Sequence, residues 1–511
     1  MERQRTRQVM LALAVAGGLL LTGCAGGEDG SNSSTDGAKD GSYGSAFPAP
    51  NQPQGEQDQD ESRDFDSPER KAPDYLSTFA LDVDTASYGY ARRTLAEGRR
   101  PDPATIRPEE FVNSFRQDYD RPDGNGFTVT VDGARTSEDD WSLVRVGLAT
   151  RTAEDTEERP PAALTFVIDV SGSMDEPGRL DLAKESLDTM TDQLRDDDSV
   201  ALVTFSDEAE KVLPMTRLDG NRGEVHDAID SLEPQDSTNL GAGVETGYET
   251  AEDGLRDGAT NRVVLISDAL ANTGDTDADA ILERISGERR EHGITLFGVG
   301  VGSDYGDELM EQLADRGDGH TAYVSDEEDA RKVFVEQLPQ NVDLTARDAK
   351  AQVAFDPETV KEFRLVGYDD RQVADDDFRD DSVDGGEIGP GHTVTALYAV
   401  RTREGADGHL ATASVRWLDP ETRDPHEESG QLETEALDSS VHRASSRFQV
   451  TTLAAYFADT LRATNGDRTS LPGCPSLSEL SDQARDLAHS TEDEDVTQLA
   501  DAIGDARRLR D

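Results

Sequence analysis

An aspartate and two serines with D-x-S-x-S spacing are the residues of this sequence best suited to chemistry. Asp169, Ser171 and Ser173 follow an apolar run, and Gly172 between the serines permits a tight turn. A carboxylate and two hydroxyls are hard oxygen ligands of the kind that Mg²⁺ or Mn²⁺ prefers, and no His or Cys is needed. The spacing therefore predicts a divalent-metal site at the turn after Asp169.

Two later segments could supply further oxygen ligands to the same site. Thr238 lies in a Ser-Thr-Asn-Leu loop ahead of a predicted helix, and Asp268 follows an apolar run that ends at Ser267. Hydroxyls donate little charge, and two aspartates at most balance a divalent ion. The cation therefore stays electrophilic, and an acidic side chain of a partner could fill an open coordination position. The predicted chemistry is binding rather than turnover.

Parallel strands joined by helices are the elements that would position these residues. Apolar runs rich in Val, Ile, Leu and Phe alternate with stretches of helical period, which favours an α/β fold. The predicted strands are 164–170, 199–205, 262–267, 294–301 and 321–324. Ligands of such open sheets bind beyond the carboxyl ends of the strands, where Asp169 and Asp268 would lie.

The order of these motifs resembles the metal-ion-dependent adhesion site of von Willebrand factor A domains. The resemblance implies a Rossmann-like domain over 160–340. It implies a divalent cation, Mg²⁺ first, with Mn²⁺ or Ca²⁺ as alternatives, and a protein partner that offers a Glu or Asp. Ser171, Ser173 and Thr238 would approach the metal directly, while Asp169 and Asp268 would act directly or through water. The structural alternative is a domain in which these Asp and Ser residues merely cap helices.

The first 24 residues have the order of a bacterial lipoprotein signal. Arginines at positions 3, 5 and 7 precede an apolar run, 9–21, that is too short to span a bilayer comfortably. The run ends in Leu-Thr-Gly-Cys, which resembles the lipobox, in which the Cys thiol receives a diacylglyceryl group. We expect 1–23 to be a signal peptide and Cys24 to be lipidated, with the chain on the extracytoplasmic face of the cell membrane. An ordinary signal peptide with an incidental Cys is the alternative.

Composition divides the remainder of the chain into three further regions. Residues 24–72 are rich in Gly, Ser, Asp, Gln and Pro, which predicts a disordered tether. The region 73–135 is a structured lead-in, and 341–511 is predicted to be β-rich and then helical, with helices at 440–464, 476–489 and 496–509. These flanking regions resemble those of a bacterial subfamily of von Willebrand factor A lipoproteins, the YfbK-like subfamily.

Charge and missing motifs exclude several classes of function. The chain has 108 acidic and 50 basic residues and a formal net charge of −58, which excludes nucleic acid as a partner. It lacks a P-loop, G-x-S-x-G and H-E-x-x-H, so we predict no enzyme. The expected function is that of a lipid-anchored envelope protein whose metal site binds an acidic residue of a partner. Three alternatives stay open: an auxiliary subunit of a membrane transport or channel complex, a hydrolase that acts on envelope polymers, and a structural envelope protein with a purely stabilising metal.

Overall fold

A computed structural model gives the fold of the chain from residue 75 to residue 510. Within these limits the described residues exclude 82–83, 139, 153–158, 269–277, 286–291, 302–312, 314–319, 325, 338–343, 370, 382, 384, 421 and 464–470. The predicted signal peptide, Cys24 and the tether lie outside the described residues. In the part that is described, no helix combines the length and apolar character needed to cross a membrane.

Strands and helices alternate in the middle of the chain and are more segregated at its two ends. Before residue 160 the elements are β1 (Leu76–Ala80), α1 (Ala86–Ala96), α2 (Pro108–Asn113), β2 (Phe127–Arg135) and β3 (Trp141–Thr150). From 160 to 340 they are β4 (Ala162–Asp169), α3 (Leu180–Gln193), β5 (Ser199–Phe205), β6 (Ala209–Arg217), α4 (Arg222–Asp230), α5 (Leu240–Asp253), β7 (Thr260–Ser267), α6 (Ala278–Arg284), β8 (Thr295–Val301), β9 (His320–Val324) and α7 (Glu327–Arg331). After 340 they are β10 (Arg347–Phe355), β11 (Val360–Leu365), β12 (Thr393–Thr402), β13 (His409–Leu418), β14 (Pro425–Glu433), α8 (Ser446–Arg462), α9 (Leu477–Thr491) and α10 (Glu494–Arg508).

The central domain is a six-stranded sheet in the order β6-β5-β4-β7-β8-β9. Five strands are parallel, and β6 joins the edge antiparallel to β5. The predicted α/β fold is therefore confirmed, although β6 was not predicted, because charged and exposed residues interrupt its apolar pattern. The chain leaves β4 towards β5 on one side and later adds β7 on the other. The edge beyond β4 and β7 is thus a topological switch point, where open sheets bind ligands.

Both faces of this sheet are covered, which explains the near-continuous apolar runs of its strands. Leu164, Phe166 and Ile168 of β4 pack on the side of α3. Val167 of the same strand packs on the opposite side, with Val244 of α5. All eight residues of β4 are buried, so the strand that carries Asp169 is held rigidly.

The two flanks of the central domain pair with each other in two antiparallel sheets. One sheet has the order β1-β10-β13-β14 and the other the order β11-β12-β3-β2. In the second sheet, β3 pairs with β12 along its length. Trp141 of β3 lies opposite Arg401 of β12 at one end, and Ala149 of β3 lies opposite Thr393 of β12 at the other. The sequence treats 73–135 and 341–511 as separate regions, whereas in the structure strands from both share the same sheets. Pairing between segments so far apart has no local sequence signal.

Two apolar cores hold these flanking elements together. One lies between the two sheets and includes Phe79, Val146, Val353, Tyr398 and Trp417. The other lies between the outer face of the second sheet and the helices, and it includes Leu143, Leu397, Phe111, Phe457 and Leu480. Because β3 has a core on each face, nine of its ten residues are buried. The three predicted C-terminal helices correspond to α8, α9 and α10.

A buried polar junction connects the central domain to its flanks. The Asp84 carboxylate, which is fully buried, accepts a 2.6 Å hydrogen bond from the backbone N–H of Thr321 in β9. It also accepts a 2.9 Å hydrogen bond from Arg371. At the sheet edge opposite the predicted metal site, Arg262 of β7 reaches Glu387 at 3.3 Å. These contacts join the central sheet to the segment before it, through Asp84, and to the segment after it, through Glu387.

Candidate metal centre

Asp169 ends β4 with its side chain completely buried. Its Oδ1 accepts the N–H of Ser171 at 2.8 Å, and its Oδ2 accepts the hydroxyl of Ser267 at 2.6 Å. Burial raises the pKa of the Asp169 carboxyl from 3.8 to about 6, and the nearby charge of Asp268 adds to that rise against the opposing hydrogen bonds. A buried carboxylate with a raised pKa is one that a bound cation would stabilise.

The turn after β4 places the two serines together. Ser171 and Ser173 lie at the start of a 3-10 turn, Gly172–Asp175, and their Oγ atoms are 3.0 Å apart. Ser171 is buried and Ser173 is half-buried. Gly172 does not have a positive φ, so the tight turn does not depend on left-handed backbone at the glycine. The two hydroxyls thus form a pair next to the Asp169 carboxylate.

Thr238 is buried in the loop that leads into α5. Backbone hydrogen bonds of 2.6 Å hold this loop to the sheet edge, from Gln235 N–H to the carbonyl of Val170 and from Asn239 N–H to that of Ser206. Asn239 also caps α5 by accepting the N–H of Ala242 at 3.2 Å. The loop is therefore fixed beyond the ends of β4 and β5, which is where the Asp169 turn begins.

Glycines let α5 lie close against the sheet and so position its leading loop. A Cβ on Gly243 would come within 2.6 Å of the Phe205 ring, and one on Gly247 within 2.3 Å of a Val167 methyl. Real Cβ atoms do not approach so closely, so only glycine allows this helix–sheet distance. The start of α5, and with it Thr238, is set by this packing.

Asp268 follows β7 directly and is also completely buried. Its Oδ2 accepts a 2.8 Å hydrogen bond from Nη1 of Arg179, a residue that the sequence analysis did not single out. The same Nη1 donates to the carbonyl oxygen of Ser173 at 3.0 Å, and Nη2 lies 2.9 Å from Oε2 of Glu176. Arg179 thus links the loop after β4 to the loop after β7.

The five predicted ligands lie at one edge of the central sheet. Direct hydrogen bonds connect Asp169 with Ser171 and Ser171 with Ser173, while Arg179 connects Ser173 with Asp268. Thr238 is placed there by the backbone of its loop. Within the described ranges, no cluster of three or more His, Cys, Asp or Glu side chains could hold a metal ion. The carboxylate and hydroxyl oxygens at this edge are a donor set that would fit a hard divalent cation.

Two residues that contribute to the site, Ser267 and Arg179, were not predicted from the sequence. Ser267 is the last residue of β7, and only the register of β7 against β4 brings its hydroxyl to Asp169. Arg179 lies six residues beyond Ser173, just before α3, and the path of that loop decides where its guanidinium points. For Arg179, the sequence did offer one signal, which is the position of an arginine between the D-x-S-x-S motif and the helix that follows it.

The comparison that decides the family covers most of the chain. Over 411 residues it is 34% identical to the uncharacterized protein YfbK of Escherichia coli strain K12, which spans 76% of this chain and 71% of that protein. The chain belongs to the bacterial YfbK family of von Willebrand factor A proteins. Three family models match this YfbK-family chain in succession: von Willebrand factor over 56–145, von Willebrand factor type A domain over 163–337, and the C-terminal region of YfbK over 341–503.

Other similarities are more distant. Over 216 residues the YfbK-family chain is 27% identical to the uncharacterized protein sll0103 of a Synechocystis strain, covering 42% of this chain and 49% of that protein. Human inter-alpha-trypsin inhibitor heavy chain H3 is 25% identical over 214 residues, or 40% of this chain and 24% of that one. A solved von Willebrand factor type A protein from Catenulispora acidiphila has a TM-score of 0.44 and 15% identity, covering 74% of this chain and 89% of that one. Von Willebrand factor A domains commonly mediate protein–protein interactions, often through a divalent cation.

Proposed function

We propose that this chain is a lipid-anchored protein of the cell envelope that binds a protein partner through a divalent cation, Mg²⁺ first. The observation that carries the proposal is the buried Asp169 carboxylate, which has a raised pKa and adjoins the paired hydroxyls of Ser171 and Ser173. Membership of a von Willebrand factor A family supports a binding role. No enzymatic activity is part of the proposal.

The residues of the site would coordinate the cation in two ways. The hydroxyls of Ser171, Ser173 and Thr238 would bind it directly, and the carboxylates of Asp169 and Asp268 would do so directly or through water. When bound, the cation supplies an electrophilic centre that accepts a carboxylate oxygen. Because the three hydroxyls carry no charge, only the two aspartates would offset the charge of the cation, which would stay electrophilic towards a Glu or Asp of the partner.

The anchor in this proposal is Cys24. It follows a basic start and an apolar run in the order of a lipoprotein signal, and about fifty residues of polar sequence separate it from the first described strand. Such a polar segment would let the binding domain reach a partner away from the membrane surface.

The test is a pull-down from envelope extract with the chain from residue 24, carrying Cys24→Ser, as bait. Wild-type bait in Mg²⁺ should retain a protein that is lost in EDTA and lost from Asp169→Ala bait. Asp253→Ala is the control, because Asp253 is exposed and pairs only at the surface with Lys211 at 3.0 Å. It should behave as wild type.

Each other outcome of the pull-down has a definite meaning. Equal retention in every lane would refute metal-dependent binding. Mg²⁺-dependent stabilisation of the bait without any retained protein would favour a metal that only stabilises the fold. Retention of a complex of integral membrane proteins would favour the role of auxiliary subunit of a transport system.

A further inference from the structure

The Arg179 guanidinium is buried inside the candidate metal centre. Its side chain is 3% exposed, and the Asp268 side chain that it contacts is fully buried. With Nη1 it bridges the Asp268 carboxylate and the Ser173 carbonyl, at 2.8 and 3.0 Å. A cation of the protein itself therefore already lies among the groups that would hold the metal.

Arg179 changes the charge of the site on which a metal would act. Asp169 and Asp268 together carry two negative charges when ionised, and the guanidinium, which stays protonated in proteins, cancels one of them. Among the described groups, a divalent cation with the two aspartates alone would be neutral, and Arg179 adds one positive charge to that set. Glu176, which also contacts Arg179, is 66% exposed, so solvent screens its charge.

Another Arg–Asp pair in the same domain, with a half-buried arginine and a buried aspartate, provides a comparison. Arg159 donates to Asp198 at 2.9 Å, and Asp198 also accepts the backbone N–H groups of Ala162 and Arg195, each at 2.7 Å. That pair lies at the amino end of β4 and β5, away from the metal-type motif. Arg179 differs because its carboxylate partner belongs to the ligand set itself.

We propose that Arg179 is the charge-setting residue of the metal centre, an inference that rests on the proposed function. In the metal-free protein it holds Asp268 and the Ser173 loop in place. In the loaded protein it repels the cation, so that metal is bound more weakly and reversibly, and it leaves a net positive charge that favours a carboxylate ligand over a neutral one. Arg179 is a positioning residue, since it acts through Asp268 and Ser173.

The first test compares Mg²⁺ binding by isothermal titration calorimetry at about pH 8, where carboxylates stay ionised. Arg179→Gln should lower the melting temperature of the metal-free protein yet bind Mg²⁺ about tenfold more tightly, because the repulsive charge has gone. Arg179→Lys keeps the charge and should stay within about threefold of wild type. Arg159→Gln is the matched control, with a lower melting temperature and unchanged Mg²⁺ affinity.

Equal or weaker Mg²⁺ binding by Arg179→Gln would overturn the proposal and make Arg179 a structural residue only. If Arg179→Gln does not fold, two other variants are compared instead. Asp268→Asn removes the charge of the buried carboxylate that contacts the guanidinium, and Arg179→Gln with Asp268→Asn removes both the negative and the positive charge. The double variant should bind Mg²⁺ more tightly than Asp268→Asn alone, and weaker binding by the double variant would contradict the inference.

The carboxylate preference has its own readout. With Mn²⁺ in place of Mg²⁺, acetate that displaces water from the ion lowers the enhancement of water-proton relaxation. Wild type and Arg179→Lys should respond to about tenfold less acetate than Arg179→Gln does. The same response in all three would contradict the charge-setting role. If wild type itself bound no Mg²⁺ or Mn²⁺, the metal centre would be refuted, a result distinct from any failure of Arg179.

Discussion

The carboxylates of Asp169 and Asp268 in the candidate centre are stabilised by different groups. Asp268 pairs with a buried guanidinium, whereas Asp169 receives hydrogen bonds from a hydroxyl and a backbone N–H. Among the residues with described positions, no arginine, lysine or histidine forms an ion pair with Asp169. Asp169 is therefore the group of this site whose charge most needs an added cation.

The raised pKa of Asp169 predicts how the stability of the metal-free protein depends on pH. A carboxyl with a higher pKa in the folded than in the unfolded protein favours folding while protonated, and this contribution is lost as pH rises through the folded pKa. Here the pKa rises from 3.8 to about 6. An asparagine at this position would not ionise, so the variant Asp169→Asn avoids this loss. In EDTA, its free energy of unfolding minus that of the wild type should therefore increase by about 3 kcal/mol as pH rises from about 4 to about 7.

Urea denaturation across that pH range measures the difference in free energy of unfolding between the variant and the wild type. Other titrating groups do not affect this difference, because both proteins contain them. A difference that stays constant with pH would show that Asp169 is not perturbed by its surroundings. Added Mg²⁺ should reverse the sign at neutral pH, since only the wild type offers the cation a charged ligand.

Most of this residue-level picture was accessible from the sequence. The spacing of Asp169, Ser171 and Ser173, and the position of Asp268 after an apolar run, predicted residues that the fold does bring to one edge. Arg179 was not predicted because a charged residue in a loop has no periodic partner, and only the path of the loop carries its guanidinium to Asp268.

At the scale of elements, the central strands were predictable and the flanking sheets less so. Strands β4, β5, β7 and β8 are covered on both faces, so each contains a run in which apolar residues dominate. Strand β2 is half-exposed at most positions, and β14 is exposed at all but two, with three glutamates. Neither has a continuous apolar run, and both gain their place from pairing with a more buried neighbour.

The junction at Asp84 predicts a large effect of one substitution on stability. Asp84→Ala would remove the carboxylate that holds Arg371 at 2.9 Å and the Thr321 N–H at 2.6 Å. Arg371 is buried and would lose this carboxylate, although Glu109 would still lie 3.5 Å from its Nη1. The free energy of unfolding should therefore fall by about 3 kcal/mol.

Chemical denaturation of the metal-free protein provides the measurement. Asp257→Ala, at an exposed position of the central domain, is the control and should change stability by no more than about 0.5 kcal/mol. A loss below about 1 kcal/mol for Asp84→Ala would mean that the junction is open to water in solution.

At the scale of the whole molecule, the central domain is an insertion in sequence. The segments before and after it together form a second module. Strands β1 to β3 precede it, and β10 to β14 follow it, yet they form common sheets. The described residues all belong to one compact unit. A sequence read in order assigns separate regions to these flanks, because the pairing of β3 with β12 bridges the entire central domain.

The proposed anchor gives a prediction for the chain as a whole. Cys24→Ser should move the protein from the membrane fraction into the soluble extracytoplasmic fraction or the medium, because the thiol that would carry the lipid is gone. Cys474→Ser is the matched control, since it removes the other cysteine and should leave the protein at the membrane. Fractionation followed by immunoblotting measures both, and persistent membrane association of Cys24→Ser would refute lipid anchoring.

Calorimetric titration of the metal-free chain with Mg²⁺, wild type beside Asp169→Ala, tests the central claim most directly. The wild type should bind one Mg²⁺ ion and melt at a higher temperature with it, while Asp169→Ala should show neither effect and Asp253→Ala should match the wild type. Equal Mg²⁺ binding by wild type and Asp169→Ala would contradict the assignment of the metal centre.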